Sequence, residues 1–236
     1  MATGWWDIAP STLAQWLGAV GTIAAVIVAL FKEPILAWKR RPGLDVTCTK
    51  DIPWTVKTPI TVWQGQRAGG GIWKGDCYFV RAKVENTGQT RAEKVQVSAS
   101  KLAKRGADNK FADMPMILPL NMKWSNSPPD AVVAILDGIS SRMSAFCDIV
   151  SVCDPANPYQ RRPTGTPEGV TVGQLQTEVE PFIDSHLLAP GTYRLTLRIA
   201  AANVEPIDRI IEFTHTGTWT QDDVSMRRDC LGVSQT

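Results

Sequence analysis

Two histidines, five cysteines and a few scattered carboxylates are the residues of this chain with types suited to chemistry. His186 stands in "IDSHLLAPG" and His215 in "FTHTG". Either imidazole would act as a general base only with a hydroxyl or thiol beside it. No nucleophile elbow of the Gly-x-Ser-x-Gly kind, phosphate-binding P-loop or Gly-x-Gly-x-x-Gly turn occurs. Turn hydrogen bonding is therefore the ordinary reading of both histidines. Cys147 and Cys153 flank "DIVSV", six residues apart. On a strand they share a face but lie too far apart to chelate one ion, which favours a core role. Asp148 and Asp154 would bind a hard cation only with help from loop carbonyls. The odd number of cysteines without tight spacing (Cys48, Cys77, Cys147, Cys153, Cys230) predicts reduced thiols and no disulfide framework. No cofactor or metal is expected.

Trp124, in "LPLNMKWSNSPPD", is the other residue of note. It either plugs a core or forms an aromatic wall for a ligand, and core energetics favour the first. Trp124 and His186 are the candidate ligand or partner surface.

The elements that must carry these residues are of two kinds. From Leu13 to Phe31 the chain runs 19 residues without a charge, with only Gln15 and Thr22 appreciably polar. As a helix it would span roughly 28 Å, close to the hydrocarbon thickness of a bilayer. The first 15 residues hold Asp7 but no Lys or Arg, and no small-x-small site follows the run, so a cleaved signal peptide is disfavoured. Trp16 lies toward one end and Trp38 beyond the other, where aromatic rings favour the headgroup level. Lys32, Lys39, Arg40 and Arg41 all follow the run. By the positive-inside rule the amino terminus faces out and the body faces the cytoplasm. Those cations either fix topology alone or also meet anionic headgroups. Gly18, Gly21, Thr22, Ala25 and Ala29 share one face with small-xxx-small spacing, suited to close helix approach and homo-oligomerisation, although small residues are common in all spans.

The first 43 residues hold four of the 25 basic and two of the 23 acidic side chains, which leaves the body balanced at 21 of each. A neutral body gives no electrostatic footprint for nucleic acid. Beyond Pro42-Gly43 the apolar period switches to two. "CYFVRAKVENTGQTRAEKVQVSAS" predicts a hairpin pairing Val84 with Val95 and Ala82 with Val97. "GTYRLTLRIAAANVEPIDRIIEFT" predicts another, pairing Leu195 with Ile211 and Tyr193 with Phe213. That register sets Arg194 opposite Glu212 and Arg198 opposite Asp208. Shorter strands are expected at 44–49, 60–63, 116–118, 132–136, 146–152 and 177–180, with loops at 65–71 and 154–169. "TQDDVSMRRDCLG" predicts a short helix capped by Thr220 and stopped by Gly232.

The predicted organisation is a short outer segment (1–12), a transmembrane helix (13–31), a basic connector (32–43), an antiparallel β-sandwich (44–220), and a short helix with tail (221–236). "VRAKVENTGQTRAEKVQV" and "APGTYRLTLRI" resemble strands of immunoglobulin-like, adhesion-module-type β-sandwiches. With "LPLNMKWS" and "FCDIVSV" behind an amino-terminal span, the chain resembles uncharacterised bacterial single-span membrane proteins. The resemblance implies that fold and an inner-membrane location, and it brings no catalytic residues. The expected function is a tethered, non-catalytic interaction or scaffold module, whose partners are the lipid bilayer and an unidentified protein. The alternatives are a ligand-sensing stress or antiphage effector whose span oligomerises, and a membrane-bound hydrolase using His186 or His215.

Overall fold

The computed structural model describes residues 10–63, 71–115, 119–127 and 133–235, without the side chains of 10–14, 34–35, 37–39 and 63. The chain divides into two units, Met1–Arg41 and Pro42–Thr236.

Among the described residues the first unit holds one helix, α1 (Pro10–Lys39, 30 residues). The apolar run is thus the middle of a longer element, and most of the expected connector is helical. Helical bonding persists to Arg40 N–H, which donates to Leu36 O at 2.9 Å. Pro42, with no N–H to donate, cannot continue it.

The second unit is mainly β. Its strands are β1 (Leu44–Thr47), β2 (Thr55–Trp63), β3 (Ile72–Asn86), β4 (Ala92–Arg105), β5 (Phe111–Asp113), β6 (Leu120–Asn121) and β7 (Lys123–Trp124). There follow β8 (Ile135–Ile139), β9 (Ser144–Cys153), β10 (Gly173–Leu175), β11 (Leu187–Leu188), β12 (Gly191–Ala201) and β13 (Val204–His215). A short helix α2 (Asp223–Ser225) and strand β14 (Leu231–Gln235) come last. One antiparallel sheet has the order β1-β3-β9-β10-β11, with β2 also on β3 and β7 on β9. The second has the order β14-β13-β12-β4-β5, with β6 and β8 also on β4. Alternate residues of both sheets meet in one core: Val80, Ala82, Val84 and Val150 from the first, Val95, Val97, Leu195 and Ile211 from the second. The arrangement is sandwich-like, and the space left among Val80, Leu102, Val150, Leu195 and Phe213 is about 10 Å³, no more than one water needs.

The expected β3–β4 hairpin does not form. β3 pairs with β1, β2 and β9, and β4 with β12, β5, β6 and β8. Both strands do turn their apolar residues to the same core, but from opposite sheets, and alternation alone is the same for either geometry. Asn86 makes the corner. It is fully buried, its amide donates to Thr90 O (2.7 Å) and Ile139 O (2.9 Å), and its Oδ1 accepts from Gly43 N–H (3.2 Å) and Gly88 N–H (3.0 Å).

The β12–β13 register is the expected one: Tyr193↔Phe213, Arg194↔Glu212, Leu195↔Ile211 and Arg198↔Asp208. Arg198 grips Asp208 with two bonds, of 2.9 and 3.0 Å. Strand candidate 116–118 lies outside the described residues, as does most of loop 65–71. Residues 177–180 form only a bridge, Met122↔Thr177. At the carboxyl end the cap is Asp222, accepting from Ser225 N–H at 2.8 Å, and not Thr220. Gly232 lies within β14, which pairs with β13, and does not stop the helix.

Candidate functional site

α1 presents the most distinctive surface. From Gln15 to Glu33 it is long and apolar enough to cross a membrane, and none of it is buried. Leu17 (70 % exposed), Val20, Ile23, Val26, Ile27, Val28, Leu30 and Phe31 all stand open. Trp16 and Lys32 flank them and are exposed, as are Arg40 and Arg41; the side chains of Trp38 and Lys39 lie outside the described residues. Gly18, Gly21, Thr22, Ala25 and Ala29 are all exposed. Among the described residues, a Cβ at Gly18 or Gly21 would meet nothing within 4 Å. The Thr22 hydroxyl donates to Gly18 O at 2.8 Å, which satisfies its side-chain donor within the helix.

Neither Trp124 nor His186 is exposed as a ligand or partner surface. Trp124 is 3 % exposed and its indole N–H donates to Ala134 O at 3.0 Å, the core role. His186 is fully buried. Its Nδ1 faces Ile183 O and its Nε2 faces Glu180 Oε1, each at 3.2 Å. Arg161 bridges Glu180 and Asp184 beside it, so the imidazole ties a loop together. His215, at the end of β13, lies between Phe213 (5.6 Å) and Tyr193 (6.4 Å), with Nε2 on Leu188 O at 3.1 Å. Burial pushes its pKa down to about 4.

The cysteine expectation is corrected in part. Cys77 and Cys153 are directly opposite on β3 and β9 and joined by a disulfide, with Cα atoms 4.0 Å apart. Adjacent antiparallel strands bring two β-carbons within bonding reach regardless of sequence distance. Cys48, Cys147 and Cys230 are free and buried; burial pushes the Cys48 thiol up to about 12 and holds Cys147 well above the ordinary range. Among the described residues no group of three or more His, Cys, Asp or Glu could hold a metal.

Two surface depressions escaped the sequence reading. An uncharged groove of about 430 Å³ lies among Pro163, Thr166, Pro167, Val170, Pro190 and Thr218, one wall being the expected 154–169 loop. A smaller concavity of about 300 Å³ lies beside Phe111 and Arg194 on the outer face of the second sheet. Compared with protein-family models, curated proteins and solved structures, the chain matches none.

Proposed function

We propose that α1 is a single membrane span that tethers an immunoglobulin-like, adhesion-type β body at the bacterial inner membrane, where the body binds another protein without catalysis. One observation carries this reading: the helix carries no charge from Gln15 to Phe31 and is long, apolar and exposed over Gln15–Glu33. Its eight large aliphatic and aromatic residues from Leu17 to Phe31 each favour the bilayer centre by about 0.3–0.6 kcal/mol, together roughly 2–5 kcal/mol. In water the same surface would expose these apolar side chains to solvent. Tethering confines the body to two dimensions and raises its effective concentration toward membrane partners.

Orientation follows from the cationic collar, Lys32, Lys39, Arg40 and Arg41, which puts the body in the cytoplasm. Ala24→Arg tests the anchor. A cation at the centre of the span costs about 2.5–3.5 kcal/mol, enough to cancel most of the apolar gain. The wild-type chain should remain with alkali-washed membranes and the variant should leave them. Equal release of both would end the anchor reading. Co-purification from mild detergent then tests for a partner, and a chain recovered alone counts against the interaction module.

A second reading places the body on the outer side. The Cys77–Cys153 bond favours it, because disulfides persist in oxidising compartments. In a reducing cytoplasm this pair would be held as thiols, so alkylation of intact cells before lysis separates the two: a labelled pair supports the cytoplasmic body, an unlabelled bonded pair the outer one.

A further inference from the structure

The concavity on the outer face of the second sheet is built by a register fault. In β4, Val95, Val97 and Ala99 point to the core, and a bulge at Ser100 shifts the pairing with β12 from Leu197↔Ala99 to Thr196↔Lys101. An extra residue in one strand re-aims every side chain after it. Leu102 therefore packs inward, while Lys101, Ala103 and Arg105 face outward, beside Phe111 and Asp113 of β5 and Arg194 of β12. The small Ala103 leaves the depression of about 300 Å³, with Ile210 and Phe111 as apolar walls.

Charge is uneven here. Lys101 pairs with Asp113 at 3.2 Å. Glu212 accepts from Arg105 Nη2 at 2.6 Å but from Arg194 Nη2 only at 3.4 Å. Three cations thus share two carboxylates, and Arg194 holds the weakest bond. The Nε atoms of Arg105 and Arg194 are both buried and, among the described residues, without a hydrogen-bond partner. Both guanidinium groups lie over the Phe111 ring, 4.9 and 4.0 Å from its centroid. Arg194 remains 40 % exposed.

We propose that this concavity docks an acidic segment of a partner protein. A Glu or Asp carboxylate of the segment takes the exposed Nη end of Arg194, leaving Glu212 to Arg105, and a neighbouring apolar side chain fills the space over Ala103 and Ile210. Charge complementarity selects the occupant: the local surplus is one positive charge on a planar fork, the group suited to bidentate carboxylate, and Arg with an aromatic neighbour is a favoured interface anchor. The site rests on the reading of the body as a protein-binding module and gives it a recognition chemistry.

The test uses the full chain in detergent micelles and fluorescence anisotropy of a labelled hexapeptide alternating Leu and Glu, against its Leu/Gln counterpart. The wild-type chain should bind the Glu peptide at least tenfold more tightly, with affinity falling as salt rises. Arg194→Gln should remove that preference, and Arg194→Lys should restore only part of it. Arg198→Gln, on the same sheet, should keep it. Ala103→Leu fills the concavity with every charge in place and should weaken binding tenfold, which guards against misreading a folding defect. Equal affinity for the two peptides, an unchanged Arg194→Gln variant, or full competition by equimolar inorganic phosphate would overturn the proposal. Loss of peptide binding with membrane retention intact removes this site alone; loss of retention with peptide binding intact removes the anchor alone.

Discussion

Asn86→Ala is the most informative single change in the body. The wild-type side chain is fully buried and satisfies four backbone groups, at Gly43, Gly88, Thr90 and Ile139. Alanine removes all four bonds. The bond to Ile139 O is enclosed, and leaving such a group unpaired costs about 1–3 kcal/mol. The other three are partly reached by water, so each is worth nearer the net value of about 0.5–1 kcal/mol. The sum is roughly 2.5–6 kcal/mol. For a chain of this size that corresponds to a fall in Tm of about 10 °C. Asn86→Asp should cost more at neutral pH, since a carboxylate would face the Thr90 and Ile139 oxygens where the amide now donates. The assay is thermal unfolding of the full chain in detergent, followed by the β signal in circular dichroism. A shift below about 2 °C for Asn86→Ala would refute the buried corner and return Asn86 to an ordinary exposed hairpin turn.

Other outcomes follow from the same geometry. In oxidised, purified protein, alkylation after denaturation should modify three cysteines before reduction and five after it; replacing Cys77 and Cys153 by Ala should cost about 4 kcal/mol, from a 76-residue closure. His215 titrates at about 4 in the folded chain, below its ordinary 6.5. The unfolded chain therefore binds the proton first, so His215 contributes stability above about pH 6.5 that is lost as pH falls toward 4. The loss is about 3 kcal/mol, and His215→Phe should flatten denaturant-midpoint curves over that window. A Cβ at Gly18 or Gly21 meets nothing within 4 Å among the described residues, so if the small face mediates self-association, Gly18→Leu/Gly21→Leu should abolish in-membrane cross-linking without lowering membrane retention.

Parts of this fold were legible because two independent patterns agreed. In β12 and β13, apolar alternation and opposite charges at Arg194/Glu212 and Arg198/Asp208 demanded one register. α1 was legible from uniform apolarity, but its extension to Lys39 was not, since residues 32–39 mix charged and apolar types. β3 and β4 misled because a chain crossing between sheets keeps the same alternation as a hairpin; only the buried demand of Asn86 distinguishes them. The Cys77–Cys153 bond was hidden because strand order, not spacing, makes partners of them. The Arg194 concavity was hidden by the Ser100 bulge: before folding, nothing marks Ala103 as an outward residue or joins Arg105 to Arg194.

The most direct test of the account is where the body ends up. Green fluorescent protein and alkaline phosphatase are fused in turn to the carboxyl end of the full chain, with membranes washed at high pH. The account predicts that both fusions stay with the membrane, that the fluorescent fusion glows, and that the phosphatase is inactive. Fusions released by the wash, or an active phosphatase with a dark fluorescent partner, would contradict it.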